Sequence, residues 1–346
     1  MRSLRSLVPL LFTASSLATN SSYSPVSHPQ VVTRVVYQFP KPTWLENIAT
    51  LRNGTLITGI LGSSAEVHLV DPTTNTASLL HSFSGFNSVL GITELDTDIW
   101  AVITANYSPT DGPTLGSGVV WKIDLQNSDV KVDKIIELKD AGMANGLTTL
   151  NPQTLLFADS FHGNIGRVTL SPNGSATYTV ALTGTNLDAN PNGTMPLGAN
   201  GLKYAAPFLY WTNTWESRFV RAPIDAQTGE RVGEDEVLDE EQGVYDDLVV
   251  ARDGKTAYVV RPYAKTLVEI ALPVKKGEKA GAPRFVVGGT GSTVLPGATA
   301  ATFGRGSDRG VLYVSTQGGN TGDNGEGVTL EGGKIVAVYL NGVGAC

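Results

Sequence analysis

ANGLTTLNPQTLLFADS, residues 144 to 160, is followed 55 positions later by ANGLKYAAPFLYWTNT, residues 199 to 214. Each is a short apolar strand, a turn marked by Asn151-Pro152 or Ala206-Pro207, and a second strand rich in apolar and aromatic residues. Four more segments follow the same plan: LENIATLRNGTLITGI, GITELDTDIWAVIT, YDDLVVARDGKTAYVV and GATAATFGRGSDRGVLYVST. Several lead into a third strand, namely AEVHLVD, GVVWKIDL, GNIGRVTL, SRFVRAPI, KTLVEIAL and GKIVAVYL. A period of roughly 45 to 55 residues is the length of a four-stranded propeller blade. A β-sandwich would not need six similar units, and the repeats of a parallel β-helix are much shorter. The expectation is an all-β, six-bladed β-propeller.

Outward from the repeats, VVTRVVYQF (31 to 39) precedes the first unit and is expected to pair with the last blade, closing the ring and leaving no open edge. GTNLDANPNGTMPLG (184 to 198) and PVKKGEKAGAP (273 to 283) read as long surface loops between blades. No linker divides the chain, so residues 31 to 346 are expected to form one domain behind a flexible segment, 19 to 30. Residues 1 to 18 read as a signal peptide: two arginines, an apolar run from Leu7 to Phe12, and Ser16 and Ala18 at cleavage spacing. That run is too short to span a bilayer, so no membrane span is expected. Five N-x-[ST] sequons, at Asn20, Asn53, Asn106, Asn173 and Asn192, fit a glycoprotein in the secretory pathway, secreted or within a lumen. Cys346 is the one cysteine, so no intrachain disulfide can form. The 346 residues carry a net charge of -7 with no Lys/Arg cluster, which argues against nucleic acid as a partner. A monomer acting on a small organic molecule is expected.

The chemistry-bearing residues open the repeats. Glu46, Gly91, Asn145, Asn200, Asp246 and Thr299 stand in equivalent places at the start of each innermost strand, where a propeller's channel is lined. Glu46, Asn145, Asn200 and Asp246 would then converge, and two carboxylates with two amide oxygens suit a hard divalent cation such as Ca2+. No His or Cys joins them, which disfavours zinc. An Asn-Gly pair is also a common hairpin turn, but in both ANGL repeats a better turn signal comes several residues later. Trp44, Tyr210, Trp211, Trp215, Tyr245 and Tyr263 are candidates for an aromatic wall over the channel mouth, against the ordinary role of aromatics as blade packing. Arg261 is a candidate catalytic residue that could reach such a pocket. His162 reads as a turn residue and His68 as an alternating strand residue. No Gly-x-Ser-x-Gly elbow occurs, which disfavours a serine hydrolase.

The chain resembles the senescence marker protein (regucalcin) and gluconolactonase group of six-bladed propellers, and within it the secreted fungal members. WLENIATLRNGTLI, ANGL with FADSFHGNIGRV, GANGLKY with LYWTNT, YDDLVVARDGKTAYVV and EGGKIVAVYL carry the resemblance. It implies one divalent cation, often calcium, on Glu46, Asn145, Asn200 and an Asp, with Asp247 where the family more often has Gly. It also implies two activities. One is a cyclase of hetero-Diels-Alderase type, which holds a quinone-methide-like intermediate against an alkene, and this is the favoured expectation. The other is lactone or ester hydrolysis with Asp246 as general base. A non-catalytic calcium-binding propeller is a third possibility.

Overall fold

A computed structural model describes residues 31 to 340, except 109 to 110, 191, 193 to 195, 241 to 242, 276, 290 and 320 to 330. The expected signal peptide and flexible segment (1 to 30), with Asn20, and Cys346 therefore lie outside the described residues. Six four-stranded antiparallel sheets make the six blades, and the innermost strand of each touches that of the next, blade 6 returning to blade 1. The innermost strands are Leu45–Thr50, Ser88–Asp96, Ala144–Asn151, Ala199–Ala205, Leu248–Val250 and Ala298–Phe303. Val32–Gln38 pairs antiparallel with Lys334–Tyr339 as the outer strand of blade 6, which closes the ring as expected. Among the described residues the one helical element is the 3-10 turn Gly306–Asp308, and no helix is long and apolar enough to cross a membrane.

The repeat produces this because each second strand alternates side chains into the two gaps flanking its blade. Six clusters of buried apolar residues fill the six gaps, such as Leu90, Ile103, Leu147 and Phe157 between blades 2 and 3. Residues 184 to 198 do join two blades. Residues 273 to 283 do not: they join the third and fourth strands of blade 5, Thr266–Ala271 and Arg284–Gly288, so this loop lies within a blade.

One irregularity recurs and positions the site. Where five of the innermost strands begin, the register shifts by one residue: Leu45 faces Ile60 but Ile48 faces Thr58, Ala144 faces Asp159 but Leu147 faces Phe157, and Ala199 faces Asn213 but Leu202 faces Trp211. A β-bulge of this kind re-aims the side chains it carries. Its first residues are Glu46, Leu90, Asn145, Asn200 and Thr299, with Asp246 placed alike by its bond to Val260 O. Blade 2 thus contributes Leu90, not Gly91, which is the second bulge residue. Gly91 aligns with Gly146 and Gly201, and this explains the Asn-Gly pairs. A Cβ on Gly146 would stand 2.3 Å from Asn200 O, and one on Gly201 2.5 Å from Asp247 Cα. The glycine admits the next blade's backbone; it does not make a hairpin turn.

Candidate metal centre and channel mouth

Four of these six places carry the expected quartet, and three of its members are linked by hydrogen bonds. Asn145 Nδ2 donates to Asn200 Oδ1 at 2.7 Å, and Asn200 Nδ2 donates to Asp246 Oδ1 at 3.1 Å and to Thr214 Oγ1 at 3.0 Å. Thr214 in turn donates to Tyr245 O, tying blade 4 to the residue before Asp246. Glu46 accepts a hydrogen bond from Trp44 Nε1 at 2.8 Å. Glu46, Asn145 and Asn200 are buried and Asp246 is partly buried. Among the described residues no Lys, Arg or His lies within ion-pair distance of Glu46 or Asp246.

Two carboxylates taken from water without a cation from the chain cannot both keep their charge cheaply. Burial pushes Glu46 up to about 7, with the charge of Asp247 adding to it against the Trp44 hydrogen bond. Asp246 is held well above the usual carboxylate range by burial, then by Glu46 and Asp247, with the Asn200 bond opposing. Asp247 is not a rival for the site. Its Oδ2 pairs with Lys203 Nζ at 2.8 Å and accepts from Asn47 Nδ2 at 3.3 Å, and its Oδ1 accepts from Leu248 N. One aspartate is paired with a lysine, and among the described residues its neighbour is not. The quartet therefore fits a hard cation in donor type, charge and position. Among the described residues no three His, Cys, Asp or Glu side chains gather, so a cation here would depend on the two amide oxygens.

The mouth above the quartet differs from the aromatic wall expected. Trp44 belongs to it, with its ring 6.4 Å from Tyr107 at 72°. Tyr107 lies on a short hairpin, Tyr107–Ser108 with Gly112–Pro113, inserted between the second and third strands of blade 2, and Asn87 pins its backbone N and O. Burial and the charges of Glu46 and Asp246 raise its hydroxyl pKa. The sequence reading missed Tyr107 and Thr214; equivalence with Ser160 at the end of the previous repeat was the available signal for Thr214. Phe161 and Leu197 pack on the same apolar cluster as Trp44 and Tyr107. Trp215 is partly buried in the turn after Phe208–Asn213, on this same end of the propeller.

Three expected site residues are packing instead. Tyr210 is 2% exposed and stacks on Phe219 between blades 4 and 5. Tyr245 is fully buried, its hydroxyl bonded to Asp239 and Arg261. Arg261 is committed to Asp239 at 2.7 Å, with its guanidinium 4.6 Å from the Tyr245 ring centroid. A buried ion pair with a stacked ring accounts for the arginine without substrate. Trp211 is also buried and donates to Asn186 O, anchoring the loop between blades 3 and 4. Tyr263 is 38% exposed in the hairpin turn of blade 5. His162 lies in a turn with Nδ1 3.0 Å from Asp159, and His68 is on a strand beside Glu66. Asn53, Asn173 and Asn192 are exposed, while Asn106 is partly buried and bonded to Asn87 N.

No family model and no curated protein matches the chain. Solved structures do. A luciferin-regenerating enzyme is similar over 90% of this chain and 95% of its own, with a TM-score of 0.64 at 14% identity. A calcium-binding regucalcin from Agrobacterium tumefaciens matches over 89% and 95%, with a TM-score of 0.57 at 15% identity. The PQQ-bound aldose sugar dehydrogenase of Streptomyces coelicolor matches over 90% and 99%, with a TM-score of 0.55 at 13% identity. The shared feature is the six-bladed propeller. Identities this low establish fold and not activity.

Proposed function

We propose that the chain is a divalent-cation-dependent enzyme acting on a small organic molecule at the channel mouth, and that the reaction best supported is hydrolysis of a lactone or ester. One observation carries this: buried Glu46 and partly buried Asp246 stand with two amides and, among the described residues, have no cationic side chain as partner. Glu46, Asn145, Asn200 and Asp246 would hold the ion, and calcium suits that donor set. When bound, the cation supplies Lewis acidity and offsets the paired negative charge. Trp44 fixes the Glu46 carboxylate through its indole N–H. Asp246 is the carboxylate positioned to take a proton from attacking water. Tyr107, kept neutral by its surroundings, offers a hydrogen bond to a substrate oxygen. Calcium binding by the regucalcin with this fold is consistent with the proposal.

Calorimetric titration of chelator-treated protein should find one calcium site, lost in Asn200→Ala and Asp246→Ala. Lactone hydrolysis should vanish on chelation and return with calcium. Hydrolysis undiminished by chelation and by Asp246→Ala would remove this mechanism.

The cyclase reading keeps one observation in its favour. Trp44 and Tyr107 set two aromatic rings beside a carboxyl that burial pushes up to about 7. Such an acid could promote loss of water from a quinone-methide precursor, and the rings could hold the product against an alkene. Tyr210 and Tyr245 lie in the core, so the channel mouth has fewer aromatics than the sequence suggested. A stereoisomer ratio identical with and without protein would end it.

A further inference from the structure

Blades 3 and 4 share one register, and their comparison exposes a partner that one blade uses and the other does not. Ala144 faces Asp159 and Ala199 faces Asn213, so Ser160 and Thr214 occupy the same place, one residue past the pair. The backbone agrees. Ser160 N donates to Met143 O at 2.9 Å and Thr214 N to Gly198 O at 3.0 Å, each acceptor being the residue before the innermost strand. In blade 4 the Thr214 hydroxyl accepts from Asn200 Nδ2 and donates to Tyr245 O. In blade 3 the Ser160 hydroxyl is fully buried and has no partner among the described residues, while Asn145 Nδ2 crosses to Asn200 Oδ1. A buried hydroxyl left unpaired in a native fold is uncommon and demands an explanation.

We infer that Ser160 is a positioning residue for Asn145 in the cation-bound protein. Asn145 turns its amide so that Nδ2 donates to Ser160 Oγ, as Asn200 Nδ2 donates to Thr214 Oγ1. Both amide oxygens are then free to ligate. The inference rests on the quartet being a cation site. An amide carries two donors and one acceptor oxygen, so an amide pointing its N–H at the oxygen of its neighbour presents the wrong charge to a cation approaching that oxygen. In the arrangement described, Asn145 and Asn200 bond to each other, and Ser160 Oγ has no partner among the described residues.

The test is calcium titration of wild type, Ser160→Ala, Ser160→Thr and Thr214→Val, with melting curves of the cation-free forms. Ser160→Ala should weaken calcium binding about threefold to tenfold, the range of one hydrogen bond. Its cation-free melting temperature should stay level or rise, because no bond is lost there. Ser160→Thr should restore affinity, whereas Thr214→Val, which loses bonds already made, should lower affinity and cation-free stability together. Equal affinity of wild type and Ser160→Ala, or a matching fall in its cation-free stability, would overturn the inference and leave the cation site standing. Absence of calcium uptake by wild type would overturn the site and the inference with it.

Discussion

At the scale of single residues, the decisive contrast is between adjacent aspartates. Asp247 has Lys203 and Asn47; among the described residues the Asp246 carboxyl has the amide hydrogen of Asn200 and no cationic partner. The consequence can be measured through pH. Glu46 titrates at about 7 in the folded protein against an ordinary 4.5, so the folded, cation-free state binds its proton more tightly than the unfolded chain does. Below 4.5 both states carry the proton and stability is unaffected. Between 4.5 and 7 the unfolded chain ionises first, so stability falls as pH rises, and above 7 the loss is complete. Asp246 shifts in the same direction and adds to the slope. The melting temperature of chelator-treated protein should therefore decline across that window, and calcium should restore it at the upper end by replacing the proton. Glu46→Gln should flatten the profile. A cation-free melting temperature that climbs from pH 4.5 to 7 would contradict the buried-acid account.

At the scale of elements, the bulge at the head of five innermost strands does what neither residue composition nor strand propensity could announce. The third strands and the hairpin turns were legible because apolar bursts and Pro or Gly punctuation depend on near neighbours in sequence. Registration of blade 2 was not, since Gly91 looks like the first residue of its repeat but lies at the second bulge position, where Gly146 and Gly201 sit. The requirement there is steric and comes from the next blade. Gly146→Ala should cost about 1–3 kcal/mol in urea unfolding, because the added methyl meets backbone at Asn200 that cannot swing aside. It should also weaken calcium binding by displacing Asn200. Gly310→Ala, where nothing stands within 4 Å, is the control and should change stability little.

At the scale of the whole molecule, the ring is closed by a strand from one end of the described chain lying on strands from the other. Val32–Gln38 covers the outer edge of blade 6, and Arg34 reaches on to Pro72 O in blade 1 at 3.0 Å. Removing residues up to Gln38 should expose the edge formed by Lys334–Tyr339 and invite pairing between chains. Size-exclusion chromatography with light scattering should show self-association, and melting should lose its single cooperative step. A monomeric truncation with an unchanged transition would show that closure contributes little.

The repeats in the sequence were enough to give the architecture and to put Glu46, Asn145, Asn200 and a choice of two aspartates at equivalent places. A repeat lets six weak local signals be added into one. Only the tertiary structure decided which aspartate stands free, that Arg261, Tyr245 and Tyr210 serve packing, and that Tyr107 flanks the site. Those outcomes depend on contacts between blades, such as Lys203 with Asp247 and Trp44 with Tyr107. Burial and charge pairing are properties of neighbours in space. Residues on different blades become neighbours only when the ring closes.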